Sequence, residues 1–249
     1  MAASCPRRKI EWINSAQDYH SSSFPIPETG ALRVILGAME TVAVSLPDTT
    51  IVLPNVSWET YEKLTDDLAD TAAPRLTYEQ GLLEILSPTM EHEEFNRTTN
   101  LIVEIVAAEL DVRIDILGST TFKRQDVARG FEPDSCFYVA SAERVRGKKR
   151  LDLSIDPPPD LIIEIDITSS SIAKMPLFAS MGVPEVWRYD GSSLRISKLR
   201  GSEYVSSDKS LAFPILTSRV LEDFLTKSQE WEDHPRLVRF IRDWVAANR

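Results

Sequence analysis

Cysteine is nearly absent from this chain: Cys5 and Cys136 are the two in 249 residues, far apart and in no CxxC or Cys/His cluster. That excludes a disulfide framework and argues against structural zinc. Histidine is scarce as well, with His20, His92 and His234 widely scattered. No apolar run reaches the roughly 18–20 residues that a membrane span needs. The most apolar early stretch, residues 31–46, is interrupted by Arg33 and Glu40. Arg7, Arg8 and Lys9 lead into Glu11 and Asn14, not into the apolar block of a secretory leader, so a cytoplasmic location is expected. Positive charge is in deficit: 28 Lys and Arg stand against 38 Asp and Glu, for a net charge of −10. DNA binding draws much of its affinity from neutralising phosphates, and an acidic chain gives such a partner no global help. Local charge differs: residues 141–150 hold Arg144, Arg146, Lys148, Lys149 and Arg150 against one acid, Glu143. Such a run reads equally as a phosphate-facing patch or as a solvated loop.

What is present is an ordinary globular balance, with 43% hydrophobic and 27% charged residues, enough to bury a real core. Residues 1–50 carry no firm periodicity and are expected to be a partly disordered extension. Within it, residues 1–38 read as dispensable, because Met39 opens a plausible start of its own. Residues 51–215 are expected to form the domain, and residues 216–249 two helices packed on it. Ser57 caps a helix carrying Trp58, Tyr61, Leu64 and Leu68. A hairpin follows, with strands at 75–78 and 82–86 about a Gln80-Gly81 turn. Thr89 caps a long helix whose buried stripe is Phe95, Thr99, Ile102, Val106 and Leu110. Further strands are expected at 114–117, 120–123, 133–140, 161–168, 183–189, 194–199 and 203–206. A loop and short helix fill 169–181, and the closing helices lie near 218–227 and 235–247.

The chemistry concentrates in the strand LIIEIDI, residues 161–167. Alternation puts Leu161, Ile163, Ile165 and Ile167 on one face and Ile162, Glu164 and Asp166 on the other. Two carboxylates on one face of an apolar strand are costly to bury unless a cation compensates, or else that face is solvated. Asp134 follows Pro133 at the start of an earlier strand. Alone it reads as a turn residue. If the two strands are neighbours, Asp134 and Glu164 converge into a hard-oxygen site suited to Mg²⁺ or Mn²⁺. Ten residues later, Lys174 is placed to orient water or to stabilise charge on a phosphate.

These residues resemble the PD-(D/E)XK nuclease superfamily and, more closely, the Uma-two family of endonucleases. The resemblance rests on NVSWETYEKL (55–64), RLTYEQGLLEILSPTMEHE (75–93), GSTTFKRQDVARGFEPDSCFYV (118–139), PPDLIIEIDITSSS (158–171), Lys174, GVPEVWRYD (182–190) and LVRFIRDWV (237–245). It implies a restriction-endonuclease-like α/β fold, a mixed sheet flanked by helices. It further implies metal-dependent hydrolysis of DNA phosphodiesters, with Asp134, Glu164 and the Ile165 carbonyl as metal ligands. Asp166 stands where the superfamily has its lysine, and Lys174 matches the lysine that the family carries on the next helix. Asp166 would then be a further ligand or a partner of Lys174. His92 matches the histidine after the SP motif and would act as a base or support the metal. A helix N-terminus should lower its pKa. Glu79 matches an acid in the family's turn, without an assigned role. No membrane partner is expected, and a homodimer would suit the cutting of two strands. The alternative is a nuclease-fold binding or regulatory module without useful catalysis, which the acidic charge favours.

Overall fold

The computed structural model describes residues 48–68, 74–118, 120–148, 151–167, 172–231 and 233–249. All belong to one compact unit that begins at Val44. Strands β1 (Thr49–Leu53), β2 (Arg75–Glu79), β3 (Leu82–Ser87), β5 (Phe122–Arg124) and β6 (Arg129–Phe131) form an antiparallel sheet in the order β1-β3-β2-β6-β5. The β2–β3 turn places both Gln80 (φ 48°) and Gly81 (φ 97°) in the left-handed region, the geometry of a two-residue hairpin. Helix α1 (Trp58–Asp67) is capped by Ser57, whose hydroxyl accepts from the Thr60 N–H at 3.2 Å. It lays Tyr61 flat on Tyr78, ring centroids 4.7 Å apart.

The second sheet is mixed. It contains β4 (Asp115–Ile116), β7 (Ser135–Tyr138), β8 (Leu161–Ile165), β9 (Glu185–Tyr189), β10 (Leu194–Arg200) and β11 (Glu203–Ser207), in the order β11-β10-β9-β8-β7-β4. Only β8 and β9 run parallel, joined through helix α4 (Lys174–Ser180); its other pairs are antiparallel. The chain passes from the first sheet to the second at Glu132-Pro133-Asp134, between β6 and β7. Helix α2 (Met90–Glu109) begins at its expected cap, where the Thr89 hydroxyl accepts from the His92 N–H at 3.3 Å. The short α3 (Ala142–Val145) follows β7, and α5 (Ser218–Glu230) and α6 (His234–Asn248) close the chain.

Strand β8 is covered on both faces. Leu161, Ile163 and Ile165 join a core built with α2, α5 and α6, while Ile162 joins another with Leu177 and Phe178 of α4. The expected alternation therefore holds, and Glu164 lies in the interior instead of on a solvated face. Leu237, Ile241 and Val245 share the first core with Ile102 and Val106, so the apolar face of α6 packs on the domain itself. The expected strands at 120–123 and 133–140 are shifted and shortened to Phe122–Arg124 and Ser135–Tyr138, and the strand expected over 161–168 ends at Ile165. Residues 168–171 and much of the N-terminal extension lie outside the described residues. Strands β1 and β6 and a 3-10 turn at Gln125–Val127 have no counterpart in the sequence reading; β6 spans only three residues, too few to display a period of two.

Candidate functional site

Asp134 and Glu164 are brought together by strand register. Ser135 of β7 pairs with Ile163 of β8, so one step further along the antiparallel ladder Asp134 falls opposite Glu164. The Ile165 N–H donates to Asp134 Oδ2 at 2.7 Å, which locks that register. Both side chains are buried, at 2% and 1% exposure. From the first turn of α4, Lys174 Nζ donates to Glu164 Oε2 at 2.6 Å. Burial pushes the Glu164 carboxyl well above the usual carboxylate range, although the Lys174 charge pulls against it. Asp134 goes the other way: burial works to raise it, but the close approach of His92 and the charges of Arg75 and Lys174 hold it low.

The remaining oxygen of Asp134, Oδ1, faces two donors from different elements. Arg75 Nη1, at the start of β2, lies 2.7 Å away, and His92 Nε2 lies 3.0 Å away. Arg75 also reaches Glu93 Oε1 on α2 at 2.5 Å. Behind His92, Nδ1 meets Asp48 Oδ2 at 2.9 Å. The helix N-terminus does not lower the His92 pKa as expected. Burial does lower it, but the nearby carboxylates of Asp134 and Asp48 prevail, and the net shift is upward. Two carboxylates flanking the ring outweigh one helix end.

Asp166 is not Lys174's hydrogen-bonding partner. It lies just past β8, where its carboxylate accepts from Arg188 Nε at 2.5 Å and its N–H donates to the Tyr189 carbonyl. Glu79 pairs with Arg129 at 2.8 Å, part-exposed and across the β2–β6 ladder. In the basic run, Arg146 pairs with Glu143 and Lys148 with Asp156, while residues 149 and 150 lie outside the described residues. Two buried charged residues of the site, Asp48 and Arg75, escaped the sequence reading, as did buried Glu84 of β3, which accepts from the Ile172 N–H at 3.3 Å just before α4. Glu84 bears the signal that exposed Glu164, an acid inside an apolar strand. Arg75 and Asp48 bear none.

Two carboxylate oxygens, Glu164 Oε1 and Asp134 Oδ1, are buried and accept no hydrogen bond of good geometry, the two donors near Oδ1 included. Among the described residues no group of three or more His, Cys, Asp or Glu side chains is gathered to hold a metal. Mg²⁺ does not require one, since it keeps several waters and is commonly held by one or two carboxylates. The donor set fits such an ion. A cleft of about 820 Å³ opens beside α2 and touches the centre at Asp134, with Arg75, Asn96, Arg97 and His234 also in its walls.

The family model described as "Uma2: Putative restriction endonuclease" matches residues 58–244, three quarters of the chain. A crystal structure described as that of a "putative nuclease" from Anabaena variabilis is similar at 16% identity, with a TM-score of 0.46 over 68% of this chain and 99% of that one. Among curated proteins none matches significantly. No described helix is long and apolar enough to cross a membrane.

Proposed function

We propose, from the premise that this chain belongs to the Uma2 restriction-endonuclease family, that it is a metal-dependent endonuclease cutting DNA phosphodiesters at the Asp134–Glu164 centre. The observation that carries the reading is the register pairing of two buried carboxylates, each with an oxygen lacking a well-made hydrogen bond. Asp134 and Glu164 would hold Mg²⁺ or Mn²⁺, with the Ile165 carbonyl as the third protein ligand. A bound cation of this kind polarises the scissile phosphate and makes a water more acidic. Lys174, held at Glu164, brings a positive charge to the phosphate oxygens as negative charge grows there. His92, facing Asp134, is the group suited to accept or return a proton. Asp166 enters through Arg188, whose guanidinium it holds at the end of β9.

DNA supplies no net attraction to a chain of charge −10, so binding must come from the cleft and from the cation between protein and phosphate. The test is cleavage of supercoiled and linear DNA with Mg²⁺ by the unmodified chain, Asp134→Ala and Glu164→Ala, beside calorimetric titration with Mg²⁺. Each substitution should abolish cleavage and weaken Mg²⁺ binding while the circular dichroism spectrum is retained. Unchanged cleavage by either variant sinks the assignment. Mg²⁺ binding without cleavage or a salt-sensitive DNA gel shift would favour a regulatory module on the same fold.

A further inference from the structure

Asp48 stands ahead of the stretch that the family model matches and ahead of every strand, yet its side chain is 2% exposed and reaches the centre of the site. Among the described residues, its carboxylate contacts two different groups. Oδ1 accepts from the Thr89 N–H at 2.7 Å, at the start of α2. Oδ2 lies 2.9 Å from His92 Nδ1, three residues further on. Across the ring, Nε2 lies 3.0 Å from Asp134 Oδ1. The three groups thus form a line from Asp48 through His92 to Asp134.

Capping of α2 alone would use only the first contact. The start of α2 already has its own cap, the Thr89 hydroxyl on the His92 N–H. Helix capping does not call for a second carboxylate oxygen aimed at an imidazole nitrogen. That contact has a different effect. With Nδ1 held, the ring cannot turn over about its χ2 axis without losing a buried hydrogen bond, so Nε2 is left facing Asp134. Carboxylates behind functional histidines fix the tautomer and the ring orientation in this way.

We propose that Asp48 is a positioning residue of the nuclease centre, holding His92 so that Nε2 addresses the Asp134 carboxylate. The proposal rests on the reading of Asp134 and Glu164 as that centre, and it extends the centre to a residue outside the family-matched stretch.

The experiment uses the full chain labelled with ¹⁵N-histidine, the His92 signals being assigned by their loss in His92→Gln. In the unmodified chain the Nδ1–H proton of His92 should be visible and slow to exchange with water. An Nδ1–H that exchanges too fast to observe overturns the proposal. In Asp48→Asn one oxygen must serve both the Thr89 N–H and the ring, so the Nδ1–H should lose its protection. Cleavage turnover should fall roughly 10–100-fold, the range for loss of a residue that orients a functional group, with KM for DNA unchanged. Unaltered turnover in a folded Asp48→Asn overturns the proposal whatever the ring signals do. If that variant does not fold, the exchange measurement on the unmodified chain decides alone. Failure of the nuclease reading would be seen separately, as absence of cleavage by the unmodified chain.

Discussion

With His92 and Lys174, Arg75 is one of the groups that allow Asp134 to be buried as a charge. Its guanidinium lies 2.7 Å from Asp134 Oδ1 and 2.5 Å from Glu93, and it is 6% exposed. Removing one member of a buried pair strands the other in a medium that solvates it poorly. Arg75→Ala should therefore cost about 3 kcal/mol of stability in the metal-free chain, measured by urea denaturation in EDTA. Saturating Mg²⁺ should return part of that loss, because a ligand that binds only the folded state stabilises it. A loss under ~0.5 kcal/mol, the scale of ordinary surface substitutions, would contradict this role. The same residue shows where reading the sequence stops. Glu164 was legible because its two neighbours in LIIEIDI are apolar and a period of two aims it inward. Asp134 was legible because Pro133-Asp134 stands at the right distance before it. An arginine at a strand start looks like any surface arginine, and nothing in RLTYE says that the far side of Arg75 is another sheet. Asp48 is harder still, since its partner His92 is 44 positions away and the intervening chain offers no pattern that joins them.

At the scale of elements, β9 shows how one acid can fasten a loop to a sheet. Glu185 is fully buried, and its carboxylate accepts from Trp187 Nε1 at 2.8 Å and from the N–H groups of Leu211 and Ala212 at 2.9 and 2.8 Å. The PEVW motif thus ties the segment after β11 back to the strand that parallels β8. Glu185→Ala leaves one buried donor, the Trp187 Nε1–H, and two part-buried N–H groups without their acceptor, each costing of order 1 kcal/mol. A loss of about 3 kcal/mol in urea denaturation is expected, and Glu185→Gln should lose less because it keeps one acceptor oxygen. Equal losses in the two variants would show that packing, not hydrogen bonding, sets the cost. The long helices were legible here because each repeats its period, α2 carrying its stripe through about four turns, and the hairpin because Gln80-Gly81 names its own turn type. The strands β5 and β6 were misplaced or missed because three residues cannot display a period, and β1 because TTIVL does not alternate polar with apolar residues and its partner β3 lies some thirty positions on. The division into two sheets has the same origin, since nothing local marks Glu132-Pro133-Asp134 as the crossing point between them.

Across the whole molecule, the site has almost no local part. Its hydrogen bonds join residues 31 positions apart at Asp134 and Ile165 and 44 apart at Asp48 and His92. Contacts of such long range close only after both sheets and α2 are in place, since loop-closure entropy must be met first. During folding, the two carboxylates therefore meet late, on the native side of the barrier. A cation that needs both of them has little to grip before that point. Stabilisation that arrives after the transition state lengthens the life of the folded form and leaves the refolding rate alone. Denaturant-jump experiments should accordingly show Mg²⁺ slowing unfolding relative to EDTA, with superimposable refolding arms; refolding accelerated as much as unfolding is slowed would place the meeting of the strands early. The register between β7 and β8 thus governs endurance: how long one copy persists once made, a property apart from how fast it forms or what it cuts.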